Sequence, residues 1–129
     1  MSDATAIVLG GIFNIGFAVF HILFWRLFDW KRDLASLTFI NRQIVQILNL
    51  SLTLVFLIFA YVSLFHTAEL LGTSLGRALL LMISVFWFLR AAEQVLFFRL
   101  RRPLSVAFFV VFLVGGLLYA YPWGVARGI

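Results

Sequence analysis

The sequence predicts an all-α integral membrane protein, an up-and-down four-helix bundle with short loops. Three observations predict it. Hydrophobic residues make up 64% of the chain and charged residues only 12%, against about 45–50% and about 25% in soluble domains. So few charges cannot keep a surface wet, so the solvent is lipid. Four apolar runs approach the roughly 20 residues a helix needs to cross the hydrocarbon core. Short basic stretches separate these runs, and 129 residues suffice for a single polytopic domain.

The spans are expected at about 7–28, 44–65, 78–98 and 105–121. The opening "MSDATA" lacks the positive n-region of a cleaved signal peptide, so the first run is expected to stay. The second is an unbroken apolar run after the basic stretch "RLFDWKRDLASLTFINR", of which residues 29–43 are expected to form an interfacial helix. The third contains a constraint. Twelve residues separate Arg77 from Arg90, about 18 Å of helix at 1.5 Å per residue. That is too short to span, so one arginine must lie inside. Arg77 sits among the turn formers of "LLGTSLGR", whereas apolar residues continue beyond Arg90 to Phe98. Arg90 is therefore the intramembrane one. The fourth span follows "RLRRP", with Pro103 suited to a first helical turn.

Charge orients the bundle. Seven basic residues (Arg26, Lys31, Arg32, Arg42, Arg99, Arg101 and Arg102) occupy the first and third connections, against Arg77 and Arg127 on the other side. The positive-inside rule then makes residues 29–43 and 99–104 cytoplasmic and both termini external, as in a bacterial-type inner membrane. In a soluble protein this basic excess would suggest nucleic acid; between apolar runs it does not. Trp25, Trp30, Tyr61, Tyr121 and Trp123 fall near span ends, where amphipathic rings prefer to lie. Gly72 and Gly76 are expected to flank a short outer turn. "ILFWRL" (22–27) and "VLFFRL" (95–100) echo one another, either as duplicated hairpins or, more simply, as aromatic–arginine anchors at one face.

The polar residues inside the spans bear most directly on function. Helical spacing of three and four puts Asn14, His21 and Trp25 on one stripe, and Arg42, Gln46, Asn49 and Thr53 on a second. Trp87, Arg90, Glu93 and Gln94 form a third. Counted from the basic ends, His21, Gln46, Asn49, Arg90 and Glu93 all lie about 5–12 Å deep. A charge facing lipid there costs about 2.5–3.5 kcal/mol or more, so these groups are expected to face the interior. One reading is glue between helices, at about 0.6 kcal/mol per contact. The other is a site in which His21, Gln46, Asn49, Arg90, Glu93 and Gln94 bind a small anion or headgroup or relay protons. Arg90 reaching the headgroups on its own is a third.

Other chemistries fall away. The chain has no cysteine, and no nucleophile elbow, phosphate loop or HExxH motif appears, which leans against an enzyme. No catalytic or metal-binding residue is assigned. His21 and His66 lie at opposite membrane faces and cannot share a haem within one chain. No cofactor is predicted, although sixteen phenylalanines make an outer face suited to a partner helix, a lipid tail, a quinone or a carotenoid. Gly10 and Gly11, with Gly115 and Gly116, are expected to bring the first and fourth helices together, with Gly16 extending the contact.

Two classes of function remain. One is a non-catalytic accessory or assembly subunit of a membrane complex, or a homo-oligomer. The other is a carrier, channel or binding protein using the polar layer. The expected partners are membrane lipids and a second copy or another membrane protein.

Overall fold

The computed structural model describes residues 1–126; Arg127, assigned above to the outer face, lies outside the described residues. The elements are α1 (Asp3–Ile22), α2 (Phe24–Leu27), α3 (Trp30–Asp33), α4 (Phe39–Phe65), α5 (Thr67–Gly72), α6 (Ser74–Glu93) and α7 (Pro103–Ala126). A 3₁₀ turn, Leu34–Ser36, precedes α4, and a π-helical turn, Gln94–Phe98, prolongs α6. Four helices, α1, α4, α6 with its π turn, and α7, are long and apolar enough to cross a membrane. They pack antiparallel, as the sequence predicts.

Local chemistry sets the starts. Ser2 caps α1 by accepting from the Thr5 N–H at 3.1 Å, Thr38 caps α4 through Asn41, and Thr73 caps α6 through Gly76 at 2.9 Å. Pro103 opens α7, where its missing N–H leaves no bond unmade.

Several boundaries differ from the apolar runs. Helix α4 begins at Phe39, within the stretch expected to be interfacial. What precedes it is α3 and the 3₁₀ turn, not one amphipathic helix. On the opposite side a short helix, α5, replaces the expected turn, and Gly76 lies within α6. Helix α7 continues through the buried Pro122 to Ala126.

The bundle is two hairpins. Helix α1 packs along α4 and α6 along α7, and a narrower α1–α7 contact joins the pairs. Helices α4 and α6 meet chiefly through aromatic side chains, Phe56 and Phe59 against Phe86 and Trp87. The basic residues of the connections lie at one end and Met1, α5 and the end of α7 at the other; these are called the basic end and the terminal end.

Trp87, fully buried, is the centre of the core. Its ring stacks between Phe56 of α4 at 5.2 Å and Phe112 of α7 at 6.0 Å. Phe13 and Phe17 of α1 approach it at 4.8 Å each. All four long helices thus converge on one indole.

The glycines divide their work differently from the expectation. A Cβ at Gly10 would strike the Tyr119 ring, and one at Gly115 would strike Phe13, so these two do serve the α1–α7 contact. Gly11 instead admits Leu64 and Ser63 of α4, and Gly116 admits Phe88 of α6. Gly16 extends nothing: a Cβ there would meet no atom within 4 Å. The two echoing hexapeptides also differ in backbone. Residues 24–27 are α-helical, whereas 95–98 are π-helical and Arg99 follows with φ 61°. Shared side-chain chemistry at one end of the bundle accounts for the echo without a repeated fold.

Candidate functional site

The predicted polar layer exists as two clusters, one in each hairpin. In the first, the α1 ladder is interrupted at Leu23, which leaves the His21 carbonyl near a helix end, where partners are scarce. Asn49 of α4 takes it: its Nδ2 donates to the His21 carbonyl at 2.9 Å, and its Oδ1 stands 2.8 Å from His21 Nδ1. With the amide fixed this way round, Oδ1 can only accept, so His21 carries its proton on Nδ1 and donates. One turn toward the basic end, Trp25 Nε1 donates to Gln46 Oε1 at 3.0 Å, and Gln46 Nε2 donates to the Arg42 carbonyl at 3.1 Å. Thr53 bonds back to the Asn49 carbonyl at 2.8 Å.

In the second cluster, Gln94 is buried and its Nε2 donates to Ser105 Oγ of α7 at 3.0 Å. Ser105 in turn donates to the Arg99 carbonyl, steadying a residue whose positive φ is a conformation suited to glycine. Arg90 is half-buried and holds its guanidinium 4.3 Å from the centre of the Phe112 ring, a cation–π contact. That guanidinium donates a hydrogen bond to no described residue. Glu93 forms neither a hydrogen bond nor an ion pair among the described residues, whose one such pair is His66–Glu69 at the terminal end. Arg90 lies within electrostatic reach of both Glu93 and His21.

A third network was not foreseen. In the terminal half, Asn14, Ser63 and Tyr119 are each fully buried. Asn14 Nδ2 donates to the Gly10 carbonyl at 2.8 Å and to the Tyr119 hydroxyl at 2.9 Å. The Tyr119 and Ser63 oxygens are 2.6 Å apart, and Ser63 donates to the Phe59 carbonyl at 2.6 Å. Only one set of donors satisfies all of these: Asn14 to Tyr119, Tyr119 to Ser63, Ser63 to Phe59. This ties α1, α4 and α7 together opposite the polar layer. Asn14 was visible on its stripe, but Tyr119 sits in a run whose only signal was hydrophobicity.

Some buried atoms have no hydrogen-bond partner among the described residues, namely Asn14 Oδ1, Arg42 Nε, Trp87 Nε1 and Gln94 Oε1. No three His, Asp or Glu side chains converge among the described residues. The two most evident cavities are open and lined mainly by apolar side chains.

Fold and geometry together define the class: a small polytopic membrane protein, a four-helix bundle fastened by interhelical polar contacts. No protein family, curated protein or solved structure matches the chain.

The contacts rank the polar residues. Asn49→Leu removes two interhelical bonds and takes away the acceptor of the His21 Nδ1–H. It should lower unfolding free energy in detergent by about 1–2 kcal/mol. Glu93→Gln, which breaks no bond, should stay within about 0.5 kcal/mol of the parent. Chemical unfolding followed by tryptophan fluorescence measures both; equal effects would mean that the two sites do not differ as drawn.

Proposed function

We propose that the protein is a non-catalytic subunit of a membrane assembly, formed with another membrane protein or with further copies of itself. The observation that carries this is how the interior polar groups are used. His21, Gln46, Asn49 and Gln94 are each engaged by a residue of the neighbouring helix, which makes them fasteners. The four spans also bury only 22–33% of their residues within the chain, least on α7, leaving broad apolar faces for lateral contact. In this reading the basic end faces the cytoplasm, because Lys and Arg are retained on that side.

A second reading rests on Arg90. A guanidinium within an apolar helix, without a hydrogen-bonding partner among the described residues and in reach of His21 and Glu93, suits a small anion, a lipid headgroup or a proton path. In that case the protein is a carrier, channel or binding protein.

Native mass spectrometry of the tagged protein, extracted from its own membrane in mild detergent, separates these. A stoichiometric protein partner or a discrete homo-oligomer is the expected result. A monomer carrying one small anion, lost in Arg90→Gln, would instead establish the second reading.

A further inference from the structure

Among the described residues, Arg90 and Glu93 are the two Lys, Arg, Asp or Glu residues that lie more than one turn inside a long apolar helix. They share one face of α6 and stand about 4.5 Å apart along its axis. A pair at this spacing can close within one chain, yet this one does not. The Arg90 guanidinium lies over the Phe112 ring at 4.3 Å, and Glu93 has neither a hydrogen bond nor an ion pair among the described residues. The ring answers the charge of Arg90 but accepts none of its N–H groups in a hydrogen bond. Two opposite charges on an apolar helix are thus both left without a counter-ion, where each is costly. Both side chains are half-buried, so they can be reached from outside the chain.

Whatever reaches them must bring both signs. A phosphate or a small anion suits Arg90 but meets the Glu93 carboxylate one turn away, and a cation meets Arg90. The chain itself carries the required pair. The surface beside the charges is apolar and open: Met82, Val85 and Leu89 are each more than half exposed, and Ala92 is exposed as well. These four repeat at spacings of three and four along one ridge of α6, and Glu93 lies one turn on from Leu89. Ala92, small and at the level of the charges, lets a second helix come close.

We propose that the protein forms a parallel homodimer through α6, in which Arg90 of each copy donates to the Glu93 carboxylate of the other. This rests on the reading of the chain as a subunit and names a second copy as its partner. Copies inserted in one orientation are related by a two-fold axis along the membrane normal, which makes every contact reciprocal. One approach therefore closes two ion pairs, and an arginine side chain spans the 4.5 Å offset. The basic ends also draw nearer, but Arg99, Arg101 and Arg102 are exposed and salt screens them. The Arg90–Glu93 pairs form in surroundings of low dielectric, where charges act more strongly. Chains separated in dilute detergent lack this contact, so it does not enter their unfolding free energy.

The chain has no cysteine, so single cysteines can be placed and oxidised in native membranes. Ala92→Cys should give a disulfide-linked dimer, and Leu117→Cys, on the exposed face of α7, should not. In the Ala92→Cys background, Arg90→Glu and Glu93→Arg should each reduce the dimer about tenfold by setting like charges together. Co-expressed under different tags, these two variants should cross-link to one another, because a copy with two acids then meets a copy with two arginines. A pair closed within one chain would give no such rescue. If either variant fails to fold by circular dichroism, Arg90→Gln and Glu93→Gln are read the same way, since only the mixed dimer then holds an ion pair. Ala92→Cys cross-linking no more than Leu117→Cys, or a dimer that survives each single substitution, would overturn the proposal. A different protein recovered in stoichiometric amount would overturn the homodimer and keep the subunit reading, whereas a bare monomer would overturn both.

Discussion

Trp87→Ala should destabilise the bundle by about 3 kcal/mol, toward the lower end of the range for Trp-to-Ala changes in protein cores. In water such a cost combines lost transfer energy with the cavity left behind. In a bilayer the separated helices expose the same indole to acyl chains, so little transfer energy is at stake and the cost is lost packing. That loss is large here because Trp87 is fully buried and touches Phe13, Phe17, Phe56, Phe86 and Phe112. These rings come from every long helix, and α4 and α6 have little else between them. Trp87→Phe should cost less than about 1.5 kcal/mol, since it keeps an aromatic plane in the stack. It also removes an indole N–H that has no partner among the described residues. Reversible unfolding in mixed micelles, followed by circular dichroism because the fluorophore is changed, measures both. A cost for Trp87→Ala below that of Asn49→Leu would mean that polar contacts, not this stack, hold the hairpins together.

Gly76→Val should be comparably severe, at or above the upper end of the about 1–3 kcal/mol usual for overpacking. A Cβ at Gly76 would run into the Glu69 carbonyl oxygen and the backbone of Leu70, and backbone cannot rotate away as a side chain can. The same residue donates its N–H to the Thr73 hydroxyl, which in turn donates to the Glu69 carbonyl at 2.8 Å. Forcing α5 from α6 therefore also breaks the cap of a membrane-spanning helix. Gly72, four residues earlier, is the control: a Cβ there meets nothing within 4 Å, so Gly72→Ala should leave stability within about 0.5 kcal/mol of the parent. Limited proteolysis at residues 66–73, together with the melting temperature, reads the effect. A Gly76→Val protein that melts and resists protease like the parent would show that α5 is not held as closely as drawn.

These two residues mark the limit of what could be read in advance. Gly76 was legible as a glycine near a turn, but not as the point where two backbones touch, because the short helix α5 was not foreseen. Trp87 was legible as one of a stripe with Arg90, Glu93 and Gln94, and that grouping separates in three dimensions. Trp87 and Gln94 enter the core, while Arg90 and Glu93 stay at its half-buried margin. The depth argument brought His21 and Asn49 to one level, and they do touch. It could not say that Gln94 turns instead to Ser105, since that depends on how α6 rotates against α7. The Asn14–Tyr119–Ser63 network escaped for a similar reason: Tyr119 lies in a run whose only signal is hydrophobicity, and the burial of its hydroxyl depends on how α7 turns against α1 and α4.

Residue order by itself determined the apolar solvent, the four long apolar helices, the basic connections and the start of the fourth helix at Pro103. Each follows from a local constraint: unsatisfied backbone in hydrocarbon, charge in lipid, or the fit of proline to a first helical turn. Tertiary structure alone decided that α1 pairs with α4 and α6 with α7, and that aromatic rings fill the space between the hairpins. In water, apolar residues would have marked the buried faces. In a membrane lipid and protein interior are equally apolar, so a phenylalanine that packs and one that faces lipid look the same in sequence, and only the shapes of neighbouring helices tell them apart.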